Sequence, residues 1–298
     1  MSFRTLSEAE FDTILNGEGH QPCPGVEIQF DVELCPATED APRQFATIYR
    51  PVGGGVSSTP SPGLLAFHGG GFCQGTPDGC GVIAKALALS LGVVTVSASY
   101  RLGSAGNPAT PAILNDAARA WRWIRAHAGQ LGIAPDRIAV SGESAGCLFS
   151  GHLAVRSPWL AINRPDPASD CPSAFIALWG PLDFVARWYD NGENPGAETN
   201  ILGPGGYAQN PALYHQLSVL AHAHRAPLPP AFFASGRFDQ VVHPRQGALG
   251  LAAWNQAGAY AERWVIPGIG HGTTGDTRPQ RRQLLEKLLD FAAAHWAG

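Results

Sequence analysis

The chain has 298 residues, with 20 basic against 24 acidic side chains and a formal net charge of −4. Only 15% of residues are charged, against roughly 25% in an average globular protein, and 45% are hydrophobic. Such a composition argues against disorder, and the absence of a basic cluster argues against a nucleic-acid-binding face. No apolar run approaches the ~20 uncharged residues of a membrane span.

The opening segment, MSFRTLSEAEFD, is polar and acidic and carries no signal-peptide apolar region, so a cytoplasmic location is expected. Six cysteines (23, 35, 73, 80, 147 and 171) show no CxxC and no Cys/His ligand spacing. In a reducing compartment they read as small buried residues, with neither a disulfide nor a metal expected. His222 and His224 form the one close histidine pair, and beside Arg225 they read as a solvated helix face.

Residues 25–34 and 45–49 alternate apolar and polar, the signature of half-buried antiparallel strands. A Gly/Ser/Pro stretch at 52–63 reads as loop. The period then changes. Short apolar β-prone runs at 64–67 and 93–100 are buried parallel strands, separated by an Ala/Leu-rich helix over 79–91. A long amphipathic helix spans 111–131, with proline at its start and Ile113, Ala117, Ala120, Trp121 and Ile124 at helical spacing. Strands at 137–141, 174–179, 231–235 and 261–266 then alternate with helices at 145–155, 244–257 and 281–296. The expected fold is α/β, a mostly parallel sheet with helices on both faces and the antiparallel pair at one edge. We expect one domain over 1–298, with Pro/Gly/Asn-rich insertions at 158–173 and 184–230 covering one end of the sheet.

Three motifs fall where the strands end. Gly142-Glu143-Ser144-Ala145-Gly146 follows a strand and opens a helix, the G-x-S-x-G turn that pushes a serine out at the sheet's carboxyl edge. His68-Gly69-Gly70-Gly71-Phe72 follows the strand LLAF, and its glycines let backbone N–H groups face a point beyond the sheet. With the N–H of Ala145, Gly70 and Gly71 are the candidate donors to an oxyanion, and His68 is read as a brace for the loop. A serine hydroxyl needs a histidine base and a carboxylate to orient it, in this fold in the chain order Ser, Asp or Glu, His. His271, in Pro267-Gly268-Ile269-Gly270-His271-Gly272 after the last strand, is the candidate base, and Asp239, one unit earlier, the candidate acid. His243 is the rival base and Asp183 the rival acid, while Asp116 and Asp136 look structural.

Together these motifs resemble the α/β-hydrolase fold, and within it the bacterial hormone-sensitive-lipase-like carboxylesterases and their acetyl and feruloyl esterase neighbours. The resemblance runs over about residues 45–295 and includes Tyr100-Arg101-Leu102, the helix leading into APDRIAVSGESAG, GRFDQVVHPRQ and PGIGHG. Family members commonly carry glycine where this chain has Cys147. The resemblance implies a serine carboxylesterase acting on short-chain acyl or aryl esters through Ser144, His271 and Asp239. It implies no cofactor and no metal. Phe72, Cys73, Trp179, Leu182, Phe184 and Trp188 are expected to line the substrate pocket. An amidase such as an arylformamidase would use the same triad, and a non-catalytic small-ligand receptor is the remote alternative. The expected partner is a small ester; the sheet edges leave a homodimer open.

Overall fold

The computed structural model describes residues 4–53, 59–110, 112–160, 171–224, 227–272 and 278–298. Eight strands form one sheet: β1 (Val26–Cys35), β2 (Gln44–Pro51), β3 (Ser61–Phe67), β4 (Val94–Ala98), β5 (Ile133–Glu143), β6 (Phe175–Leu178), β7 (Ala231–Gly236) and β8 (Ala261–Ile266). Their order is β1-β2-β4-β3-β5-β6-β7-β8. β2 pairs antiparallel with both β1 and β4, and every later pairing is parallel. This is the mostly parallel α/β sheet that the resemblance implies, with the antiparallel strands at the amino-terminal edge.

The central strands are buried on both faces, as continuous apolar runs require. Leu65 and Phe67 of β3 point into one core with Trp121, Phe149 and Trp254. Leu64 and Ala66 point into the other, with Phe11, Leu87, Leu285 and Leu288. Helices α3 (Ile113–Leu131), α4 (Gly146–Ala154) and α8 (Arg245–Gln256) cover the first face, and α1 (Glu8–Asn16), α2 (Gly81–Leu91) and α9 (Arg278–Ala292) the second. No described helix is long and apolar enough to cross a membrane.

Several edges differ from the sequence expectation. The loop read over 52–63 ends early, because β3 begins at Ser61; residues 54–58 lie outside the described set. Most of the expected insertion at 158–173 also lies outside it, at 161–170, as do Pro111 and Arg225. Strand β1 is half-buried as expected, with Val26 and Leu34 buried and Glu27, Gln29 and Glu33 exposed, and its pairing slips between Gln29 and Val32, with Asp31 at φ 54°. Strand β2, expected to be half-buried, is instead buried from Ala46 to Tyr49, because it lies between β1 and β4. The closing helix runs from Arg278 to Ala292, and its last turn widens into a π-helix over Ala293–Ala297.

Within 184–230 the chain forms α5 (Phe184–Asp190), α6 (Thr199–Leu202) and α7 (Pro211–Leu217), with a turn of 3-10 helix before α6 and another after α7. Parallel register aligns the strand ends that matter. Phe67 pairs with Gly142, Glu143 with Leu178, and Gly236 with Ile266. The loops after β3, β5, β7 and β8 therefore leave the sheet side by side at its carboxyl edge.

Candidate active site

β5 runs straight into α4 through Ser144, whose φ is +49°, a left-handed conformation that a side chain adopts at a cost of order 1–3 kcal/mol. Its N–H donates to Leu178 O at 2.9 Å, which helps to hold the turn. The flanking glycines are dictated by crowding. A Cβ on Gly146 would lie 2.1 Å from Phe67 O, and one on Gly142 would lie 2.3 Å from the Gly146 carbonyl. Cys147, where the resemblance leads one to expect glycine, is fully buried and its Sγ lies 3.0 Å from Gly142 O. The thiol fills space opposite Gly180, where a Cβ would come within 2.1 Å of it. Burial pushes that thiol's pKa up, so it stays protonated and inert.

Ser144 Oγ lies 2.9 Å from His271 Nε2, and His271 Nδ1 lies 2.8 Å from Asp239 Oδ2. Asp239 is buried, and its other oxygen accepts the N–H groups of Val241 at 2.9 Å and Val242 at 2.8 Å. A carboxylate fixed by two amides on one oxygen presents the other to the imidazole in one orientation. Such a chain can accept a hydroxyl proton on the imidazole while the carboxylate stabilises the cation formed. The rivals sit elsewhere. Asp183 caps α5 by accepting from Ala186 N, and exposed His243 accepts from Arg245 N. Asp116 binds Arg101 through two side-chain contacts of 2.8 Å, locking the end of β4 to α3, and Asp136 is exposed.

The loop after β3 turns on Gly70 at φ +127°, where a Cβ would lie 2.0 Å from Gln74 O. Among the described residues, the N–H groups of Gly70, Gly71 and Ala145 donate to no protein acceptor. All three residues border the cavity above Ser144. His68 is buried and stacked on Tyr100 at 4.3 Å between ring centroids, with Nδ1 2.7 Å from Gly69 O. Burial lowers its pKa and favours the neutral ring. Tyr100 Oη in turn donates to His68 O at 2.9 Å, so the loop is braced from below.

Residues 64–274 match the family described as the alpha/beta hydrolase fold. The chain belongs to that family. The carboxylesterase NlhH of Mycobacterium tuberculosis is 28% identical over 222 residues, covering 71% of this chain and 66% of NlhH. The ethyl acetate hydrolase of Pseudomonas putida is 30% identical over 215 residues, covering 70% of this chain and 64% of that enzyme. The matches thus span about two thirds of those relatives' length. Esterase 2 of Thermogutta terrifontis, in its apo form, superposes with a TM-score of 0.69 at 23% identity, covering 91% of this chain and 95% of its own.

The cavity above Ser144 has a volume of about 450 Å³. Of the pocket residues expected from sequence, Phe72, Cys73 and Trp179 border it. Leu182, Phe184 and Trp188 do not. Leu182 is buried beneath the site with its N–H on Gln246 Oε1. Phe184 is fully buried and supports Phe72 from behind, ring centroids 6.4 Å apart. Trp188 packs edge-on against Tyr214 and over Gly206. An apolar residue near a catalytic motif is more often core than lining, and here core packing claimed all three.

Arg187, Glu198 and Asn200, which no motif in the sequence singles out, border the cavity from the excursion after β6. Their signal was slight: a buried arginine in the apolar run FVARWYD, within a chain of few charges. Glu143, to which the elbow motif gives no role, borders both this cavity and a second of about 180 Å³ lined by Leu15, Val82, Ile83 and Leu284. Burial raises the Glu143 pKa to about 7. No group of three or more His, Cys, Asp or Glu side chains is arranged to hold a metal among the described residues.

Proposed function

We propose that this hydrolase is a serine carboxylesterase acting on esters with short acyl chains or aryl groups. His271 takes the proton of Ser144 as its Oγ attacks the ester carbonyl. The oxygen that becomes negative is received by the N–H groups of Gly70, Gly71 and Ala145. Removing one such donor typically costs about 3–4 kcal/mol in the barrier, because a preoriented dipole needs no reorganisation as charge develops. His271 returns its proton to the departing alcohol and then activates water to release the acid. Asp239 keeps the imidazole in the tautomer that presents an unprotonated Nε2 to the serine.

The observation that carries this reading is the unbroken Asp239–His271–Ser144 chain beside three amides without protein acceptors. A cavity of about 450 Å³ lies toward the small end of ligand sites, roughly 300–1,000 Å³, which supports small esters. The likeness to an ethyl acetate hydrolase agrees with that size. A reducing, cytoplasmic compartment fits the buried thiols of Cys23, Cys80 and Cys147. The test is hydrolysis of p-nitrophenyl acetate and butyrate by the wild type and by Ser144→Ala. Turnover abolished by the substitution is expected; full activity in Ser144→Ala refutes the reading. Matched acetyl esters and anilides then separate esterase from amidase, with the ester expected to be the faster.

A further inference from the structure

The excursion after β6 touches both halves of the site. Arg187, on α5, is buried, with 5% of its surface exposed, and its Nε pairs with the carboxylate of Glu198, also buried at 2%. Its Nη1 donates at 2.5 Å to the carbonyl of Val241. The N–H of that same residue donates to Asp239 Oδ1. A guanidinium therefore grips the loop that orients the acid, one peptide unit from the acid's own hydrogen bonds. On the other side Asn200, on α6, donates from Nδ2 to Gly71 O at 2.9 Å, fixing the loop that carries the oxyanion amides.

The two grips share one mount. Glu198 and Asn200 are two residues apart, and α6 is itself tied down, Asn200 O accepting from Ala109 N and Ile201 O from Thr110 N. Gly103 leaves room for this close approach, since a Cβ there would lie 2.0 Å from Asn200 O. Burying the Arg187–Glu198 pair costs desolvation that its own attraction offsets only in part, so the pair is poorly explained as a stability device. Burial in fact raises the Glu198 pKa against the pull of Arg187. Its geometry does explain it: the planar fork of arginine spans Glu198 and Val241 at once, which a lysine ammonium cannot reproduce.

We propose that α5 and α6 form a positioning clamp, in which Arg187 sets the acid loop and Asn200 the oxyanion loop, with Glu198 holding Arg187 in place. The clamp rests on the esterase reading and deepens it. Arg187, Glu198 and Asn200 are positioning residues: they act on the reaction through Asp239 and Gly71. Misplacing a reacting group by about 1 Å can cost a hundredfold in rate.

The test uses p-nitrophenyl acetate with three variants, each checked for wild-type circular dichroism and melting temperature. In Arg187→Met with Glu198→Leu, hydrophobic replacement of the whole pair preserves the fold without leaving a lone buried charge. The clamp predicts that its kcat falls about ten- to a hundredfold, with KM changing less than threefold. Arg187→Lys should recover only part of that loss, and Asn200→Ala should lower kcat about tenfold with KM similarly preserved. If the double variant folds and keeps kcat within twofold of wild type, the clamp is wrong. If it does not fold, unchanged kcat in both Arg187→Lys and Asn200→Ala overturns the proposal equally. A wild type that hydrolyses esters while the variants match it refutes the clamp alone; a wild type that does not hydrolyse them refutes the esterase reading beneath it.

Discussion

Replacing Glu143 by glutamine should change the pH dependence of stability. The carboxyl next to the elbow serine titrates at about 7 in the fold against 4.5 in the open chain, because burial disfavours its charged form. Between those two pH values the folded chain holds a proton that the unfolded chain has released. Stability from the neutral acid is therefore complete below pH 4.5 and is lost as pH rises through 7. A shift of that size corresponds to about 3 kcal/mol, an upper bound because Glu143 borders two cavities that water can enter. For a chain of this length about 3 kcal/mol is worth roughly 5 °C in melting temperature. Melting curves of wild type and Glu143→Gln, recorded from pH 4 to 9, read this directly. The variant should gain on the wild type by up to about 5 °C between pH 4.5 and 8. Parallel curves across that range would show that the carboxyl is not held neutral by its surroundings.

Other substitutions probe the frame around the site. Asp239→Asn should lower kcat by about 10⁴ while leaving the fold intact, since the amide favours the wrong imidazole tautomer; near-normal turnover of p-nitrophenyl butyrate would contradict the assignment. Gly146→Ala forces a methyl group to within 2.1 Å of Phe67 O, so the elbow must open and activity should drop at least a hundredfold; an active, wild-type-like variant would show the turn to be looser than described. Asp116→Ala leaves the half-buried Arg101 unpaired and should cost about 3–5 kcal/mol, measured by urea unfolding. A change below about 1 kcal/mol would mean that the pair is solvent-screened like a surface bridge.

Much of this site was legible because its chemistry is local. A glycine is required where a Cβ would strike Phe67 O or Gln74 O, and such requirements leave short fixed patterns at 68–72 and 142–146. The position of His271 followed from the same logic, since parallel register brings the loop after β8 beside the others. The wall of the cavity was not legible. Phe184 and Trp188 have the composition of a pocket, but their burial depends on which side of α5 faces the sheet, and seven residues carry too little periodicity to decide it. Leu182, just before α5, is placed by its N–H on Gln246, 64 residues away. Arg187 and Glu198 meet across a turn between two short helices, a contact set by tertiary packing. Helix α1 was also missed, although Ser7 and Glu10 form a reciprocal capping box whose spacing stands in the sequence.

Activation of Ser144 as a nucleophile by His271 is tested most directly by treating the protein with a fluorophosphonate and locating the adduct by peptide mass spectrometry. One adduct per chain is expected, on Ser144, absent in Ser144→Ala and formed far more slowly in His271→Ala. A protein that stays unlabelled, or that is labelled at another residue with Ser144 unmodified, would contradict it.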